Sequence, residues 1–403
     1  MAKRLLSALP TESLAGRRVL VRADLNVPLD GGAVADDTRI RASLPTLRLL
    51  TGAGARVTLC SHLGRPKGAA DPTFSLAPVA RRLEELLGRG VAFVPETVGA
   101  AAVAAAAALA DGEVLLLENT RFHPGETSDD PELARSLATF GTLYVNDAFG
   151  SAHRAHASTV GVARAVVAAG GEAVAGLLME RELAFLGDAL AEPARPFVAV
   201  LGGAKISGKI DVVEALLPRV DRLLVGGAMA NTFFLALGLE MGRSLVEEDR
   251  VPMARDLMER AGDRLVLPVD CRVADRIDAD AEVRTVPRDG VGPEDRVGDV
   301  GPETEALFSE IVRGARTVLW NGPLGVFEAA PFAHGTFALA RAVADATDGG
   351  AVSVLGGGDS AAAAEAAGVA GRLTHVSTGG GASLEFLAGR ELPGVAALSD
   401  QEG

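Results

Sequence analysis

Short apolar runs rich in Val and Leu alternate along the chain with longer stretches in which apolar residues recur at helical spacing. The first kind predicts buried strands and the second amphipathic helices. Predicted strands in the first half are RVLVRAD (18–24), ARVTLC (55–60), EVLLLEN (113–119) and TLYVNDA (142–148). The second half gives FVAVLGG (197–203), RLLVGG (222–227), RLVLPVD (264–270), TVLWNG (317–322) and AVSVLGG (351–357). This strand–helix alternation implies parallel sheets covered by helices on both faces, so the expected fold class is α/β with two doubly wound domains. Between the two sets, GLLMERELAFLGDALAEPARP (176–196) keeps helical spacing and stops at Pro193 and Pro196. It predicts a helix and hinge between an N-terminal domain, 1–175, and a C-terminal domain, 176–387, that includes the connecting helix.

Many of these strands end in glycine, acid or asparagine, where open α/β sheets place ligands. In VAVLGGAKISGKID (198–211), Gly203 and Gly208-Lys209 approach the phosphate-loop pattern, but Ile210 stands where the magnesium-binding hydroxyl belongs. In VSVLGGGDSAAAAEA, three glycines lead into a helix whose free N–H groups suit a phosphate. Asp359 and Ser360 there are either N-caps or ligand groups, and Asp359 is placed to hold a Mg²⁺ that bridges phosphate oxygens. In VLWNGPLGVFE, Asn321, Gly322 and Pro323 form a turn, and Glu328 is either a ribose acceptor or a solvated carboxylate. HVSTGGGASLEFLAG (375–389) is either another phosphate-facing turn or tight strand–helix packing, and packing is the preferred reading.

The first half collects cations instead. DLNVP (24–28), TRIRASLPTL (38–47, with Arg39 and Arg41), SHLGRPKG (61–68), LENTRFHPGE (117–126) and NDAFGSAHRAHAST (146–159) carry basic or polar groups, most of them just after a strand. Arginine forks suit bidentate recognition of phosphate and carboxylate, and the lack of interleaved aromatics points to a small, densely anionic ligand. His62 reads as a hydrogen-bond donor to that anion and His123 as structural. His153 and His156 lack a third metal ligand at suitable spacing.

The 403 residues, 48% apolar, suffice for two cores. A net charge of -14 argues against nucleic-acid and anionic-membrane partners. Two isolated cysteines, Cys60 and Cys271, and the lack of a long apolar leader lead us to expect a cytoplasmic protein. Of the 39 basic residues four are lysines, Lys3, Lys67, Lys205 and Lys209, and the last two fall within five residues of each other in the loop at 202–209.

DLNVP, SHLGRPKG, LENTRFHPGE, NDAFGSAHRAHAST, LGGAKISGK, GGAMANTFF, WNGPLGVFE and GGGDSA, in this order, resemble phosphoglycerate kinase. The resemblance runs from about residue 5 to LPGVAALSDQ near the end. It implies reversible, Mg²⁺-dependent phosphoryl transfer from 1,3-bisphosphoglycerate to ADP, giving 3-phosphoglycerate and ATP in glycolysis, by a monomer that closes about its hinge. By position, Asp24, Asn26, Arg39, His62, Leu63, Gly64, Arg65, Arg121 and Arg154 would bind the phosphoglycerate. Lys209, Glu328, Gly357, Gly358, Asp359 and Ser360 would bind the nucleotide, with Asp359 on the metal, and Arg39 and Lys205 would be catalytic. The tail, about 388–403, is expected to pack back on the first domain. The chain has Ser360 where the family usually has threonine, and Leu25 where it usually has phenylalanine. Residues 293–304 lack the family's usual lead into their aspartate, so Gly298 is not assigned. The alternatives are another two-domain ATP-dependent small-acid kinase and a catalytically silent nucleotide-binding homologue.

Overall fold

The computed structural model describes residues 3–66, 68–188 and 192–401. It divides into two compact units: residues up to Ala184 together with those from Glu391 onward, and Phe185–Arg390.

The first unit contains β1 (Arg18–Ala23), β2 (Leu29–Asp30), β3 (Ala33–Val34), β4 (Arg56–Cys60), β5 (Val91–Val94), β6 (Val114–Leu117), β7 (Leu143–Asp147) and β8 (Glu172–Ala175). Six of them make one parallel sheet in the order β5-β6-β4-β1-β7-β8, while β2 and β3 form a separate hairpin. Val19 and Val21 of β1 are fully buried against Ile40, Leu44 and Leu47 of the helix Thr38–Gly52 and Val79 and Leu83 of the helix Ala77–Leu87. The register pairs Arg22 with Cys60 and Ala23 with Asp147, so the residues that follow β1, β4 and β7 emerge together at one sheet edge. This is the carboxyl edge, where the strand order reverses around β1.

The chain's tail completes this unit. Arg4 donates its N–H to the Ser399 carbonyl, Ser399 to Ala173 and Gly394 to Ala152, each at 2.8 Å. The helix Leu177–Leu183 also stands here, whereas the sequence placed it in the second domain. Its attachments explain why. Asp147 at the end of β7 accepts the N–H groups of Leu178 and Met179 at 2.9 and 3.3 Å, Thr46 accepts that of Leu177, and Met179 and Glu182 are buried. Residues 189–191, within the predicted connecting stretch, lie outside the described residues, as does Lys67.

The second unit contains β9 (Phe197–Leu201), β10 (Arg222–Val225), β11 (Leu265–Val266), β12 (Asp270–Ala274), β13 (Arg284–Pro287), β14 (Arg296–Val300), β15 (Thr317–Asn321), β16 (Val352–Gly356) and β17 (His375–Val376). Its main sheet is parallel in the order β11-β10-β9-β15-β16-β17, and β13-β12-β14 form a small antiparallel sheet. Trp320, Val198 and Val200 pack with Leu339 and Val343 of the helix His334–Asp348 in one core. The run RLVLPVD, predicted as a single strand, is two, because Pro268 cannot donate to a ladder. No helix among the described residues is long and apolar enough to cross a membrane.

Candidate functional site

Asp24, Asn26, His62, Arg65, Arg121 and Arg154 all stand on loops at the carboxyl edge of the first sheet. Arg39 reaches Asp24 from the first turn of its helix, Nη1 to Oδ1 at 3.1 Å. Asn26 Oδ1 accepts the Gly64 N–H at 2.8 Å, and Arg121 Nη1 donates to the Gly64 carbonyl at 2.5 Å. Arg65, Arg121 and Arg154 converge with Pro66, Thr127 and His156 around a pocket of about 280 Å³. None of the three guanidiniums has a carboxylate partner among the described residues, although Arg121 is buried and its Nε makes no hydrogen bond there. Converging forks without counter-ions make an anion site.

Some expected residues play other parts. Leu63 is buried, and its N–H and carbonyl are both bonded to the Asn119 side chain, at 3.2 and 2.7 Å. Gly64 spends its N–H and carbonyl on Asn26 and Arg121. These bonds fix the shape of the loop on which both residues stand. Arg41 turns away to an exposed ion pair with Asp37, which also holds Arg82. His123 Nδ1 accepts the Gly125 N–H and fixes a turn. Buried Arg22, absent from the sequence-based set, donates from Nε to Ser158 Oγ at 2.8 Å and sets Nη2 3.1 Å from His62 Nδ1. That contact makes Nδ1 the acceptor and leaves the proton on Nε2 of the neutral ring.

The electrostatics follow from burial among cations. Burial drives His62 well below the usual histidine range; Asp24 opposes this, and Arg22, Arg121 and Arg39 add to it. Burial would raise the Asp24 carboxyl, but the positive charge around it, Arg39 and Arg22 included, and the Asn26 N–H outweigh it and hold the group below its ordinary value. Burial, with Arg22, Arg121 and Arg154 nearby, takes His156 down to about 4. The arginines therefore carry the site's positive charge, and both histidines are neutral near pH 7.

In the second unit, Gly203, Ala204, Lys205, Gly208, Lys209, Asn321, Gly322, Pro323, Gly357, Asp359 and Ser360 line a pocket of about 400 Å³ with Gly380 and Leu384. The loop that resembles a phosphate loop works differently here. Gly202 and Gly203 give their N–H groups to the carbonyls of Asn321 and Pro323, so these amides are spent on the neighbouring turn. Lys209 Nζ lies beneath, donating to the carbonyls of Gly202 and Asn321 at 2.6 and 2.8 Å, with one N–H left over. Burial lowers this lysine to about 8, and Asp359 pulls it back up. Lys205 is exposed on the pocket wall.

The free amides come instead from the helix Gly358–Ala366, whose N-cap is Gly357. Asp359 and Ser360 are not caps. Asp359, exposed in the first turn, accepts no hydrogen bond among the described residues, while buried Ser360 bonds the Gly322 N–H and the Gly356 carbonyl. Gly380 and Leu384 bring the 375–389 loop, read from sequence as packing, to the pocket as well. Glu328 lies elsewhere, lining a pocket of about 390 Å³ with Phe327, Ala330, Ala333, His334, Phe337 and Arg341. Gly298, unassigned by sequence, is a packing glycine: a Cβ there would come within 2.3 Å of the Phe332 ring.

Two parallel α/β units, one ending in an arginine-lined anion pocket and the other in glycine turns around two lysines, define a two-domain phosphotransferase. Comparison with known proteins narrows the class. A family model described as phosphoglycerate kinase matches residues 9–390. A phosphoglycerate kinase of Chloroflexus aurantiacus is 57% identical over 394 residues, 96% of this chain and 97% of its own. One of Prosthecochloris aestuarii is 54% identical over 405 residues, 99% of this chain and 100% of its own. The phosphoglycerate kinase structure from Coxiella burnetii superposes with a TM-score of 0.86 at 41% identity, covering 98% of each chain. That from Pyrococcus horikoshii gives 0.85 at 35% identity with the same coverage. The chain belongs to the phosphoglycerate kinase family.

Proposed function

We propose that the two pockets divide the substrates of the family's reaction, phosphoryl transfer between 1,3-bisphosphoglycerate and ADP. The phosphoglycerate binds at Arg65, Arg121 and Arg154, with Asp24, Asn26, Arg39 and His62 along the same edge. The nucleotide phosphates bind at the start of the helix Gly358–Ala366 beside Lys205 and Lys209, and Glu328 serves the nucleoside end. The observation that carries this reading is the set of three arginines converging with no carboxylate partner among the described residues, in a chain of net charge -14.

Phosphoryl transfer asks for positioning and charge neutralisation rather than a protein nucleophile. Arg39 and Lys205 are cations at the rims of the two sites, placed to stabilise charge on the phosphoryl group in transit. Arg39 is steered by Asp24, and Lys205 projects from a loop whose backbone is anchored to the Asn321–Pro323 turn. The two bound ligands must come together out of water for transfer, which the family resemblance assigns to closure at a hinge.

Asp359 fits the role of magnesium anchor. Its carboxylate, on the pocket wall, accepts no hydrogen bond among the described residues, and no group of three His, Cys, Asp or Glu among them could hold a metal unaided. One carboxylate combined with phosphate oxygens and water is the usual way Mg²⁺ is held with a nucleotide. When bound there, the ion would neutralise phosphate charge. The working protein is proposed to be a cytoplasmic monomer that binds neither nucleic acid nor membrane.

Titration of Arg65→Ala and Arg154→Ala with each ligand tests the division. Each variant should lose about 1.5–3 kcal/mol of 3-phosphoglycerate affinity, the worth of a charge-assisted contact, and keep its ADP affinity. Equal loss for both ligands would refute the division.

A further inference from the structure

Glu126 closes the stretch LENTRFHPGE and sits among the cations of the first unit with no solvent exposure. Its Oε1 accepts from Ser158 Oγ at 2.6 Å and from Thr120 Oγ1 at 3.2 Å, and its Oε2 accepts the Ser158 N–H at 3.1 Å. Its carbonyl takes the Ala157 N–H at 2.9 Å. Every one of these links reaches a wall of the arginine pocket. Thr120 precedes Arg121, Thr127 follows Glu126, and Ala157 and Ser158 follow His156; Arg121, Thr127 and His156 all line the pocket. The network continues through Ser158 Oγ to Arg22 Nε and from Arg22 to His62.

We propose that Glu126 is a positioning residue for the phosphoglycerate, bracing from below the loops that carry Arg121, Arg154 and His156. The proposal rests on the reading that this pocket takes the phosphoglycerate. Loops at a sheet edge are held to one another by few contacts, and bidentate arginine recognition tolerates little misplacement. A buried acceptor shared by two loops fixes their spacing. It also lies close enough to help keep Arg121 charged: burial, Arg22 and Arg154 lower that guanidinium, and Glu126 and Asp24 oppose them.

The test is a steady-state comparison of Glu126→Ala, Glu126→Gln and Thr120→Val with the parent, each variant also checked by thermal unfolding. Glu126→Ala should raise the KM for 3-phosphoglycerate about tenfold or more and leave the KM for ATP within about twofold. Glu126→Gln should recover most of that loss, to within about threefold of the parent, because both hydroxyls can reverse and accept from the amide. Thr120→Val, which deletes one bond and keeps the shape, should show the same split at about two- to fivefold, and it decides the matter if Glu126→Ala does not fold. An unchanged 3-phosphoglycerate KM, an equal rise in both KM values, or no recovery in Glu126→Gln would overturn the bracing role. Arg154→Ala run alongside separates the two readings. If it raises the 3-phosphoglycerate KM and Glu126→Ala does not, the brace is wrong and the pocket stands; if neither does, both fall.

Discussion

Ser360 accepts the Gly322 N–H on its Oγ at 2.6 Å and donates to the Gly356 carbonyl at 3.0 Å, so two glycine turns of the second unit hang from one hydroxyl. Gly322 has no room to adjust. Its φ is 95°, and a Cβ there would lie 2.4 Å from the Gly202 carbonyl oxygen. Ser360→Ala should leave a buried N–H unpaired, at about 1–3 kcal/mol of stability, and should loosen the turn at the proposed nucleotide site. Denaturant unfolding and ADP titration should both register the change, while 3-phosphoglycerate affinity holds.

Lys205→Ala should lower kcat steeply with little change in either KM. Lys205 is exposed and makes no side-chain hydrogen bond among the described residues, its charge reaching only as far as Glu247, in contrast to Lys209, whose ammonium ties Gly202 to Asn321. A cation that acts on the phosphoryl group in transit contributes to the transition state and hardly to the ground state. Steady-state kinetics giving a near-normal kcat would remove Lys205 from the catalytic set.

Asp359→Asn should raise sharply the magnesium concentration needed for half-maximal rate. A hard cation prefers a charged oxygen, and the amide removes that charge. Because Asp359 caps nothing, the melting temperature should stay near that of the parent. Initial rates across a magnesium series, paired with thermal unfolding, check both halves of the statement.

Asp147→Asn should change how stability depends on pH. Burial pushes the Asp147 carboxyl from 3.8 up to about 6, against the pull of Thr46 and the Met179 and Leu178 N–H groups. Between those values the folded chain keeps the proton and the unfolded chain does not. The favourable contribution of this group is therefore full below about pH 4 and lost as pH rises through about 6, at most about 3 kcal/mol. Asparagine accepts the same N–H groups and never ionises, so the variant should gain on the parent as pH rises across that window. Urea unfolding at about pH 4.5 and about pH 7.5 measures the gain, and a constant difference between the two would contradict it.

The parallel cores were legible because apolar runs that end in Gly, Asp or Asn signal strands buried on both faces and open at one end. Two kinds of element escaped. Val91–Val94 and Glu172–Ala175 are four-residue strands at the sheet's edges, too short to show a period. The antiparallel strands Asp270–Ala274, Arg284–Pro287 and Arg296–Val300 carry arginine, threonine and glycine and rely on neighbours far along the chain. In the sites, Arg65, Arg121 and Arg154 were readable as cations on strand-end loops, whereas Arg41, with similar credentials, is consumed by Asp37. Asn119 and Glu126 were silent because their work is done through partners distant in sequence, Leu63 at one and Ser158 at the other. An acid inside a basic site also runs against the pattern that revealed the site.

The return of the tail has a mechanical consequence. Lys3 Nζ meets Asp400 Oδ1 at 2.8 Å, and Arg4, Ala173 and Ser399 are stitched side by side, so both ends of the described chain leave from one seam. A load applied across residues 3 and 401 falls first on that seam and on the first unit. Phe185–Arg390, inserted as a single uninterrupted run, feels the tension only after the seam has torn.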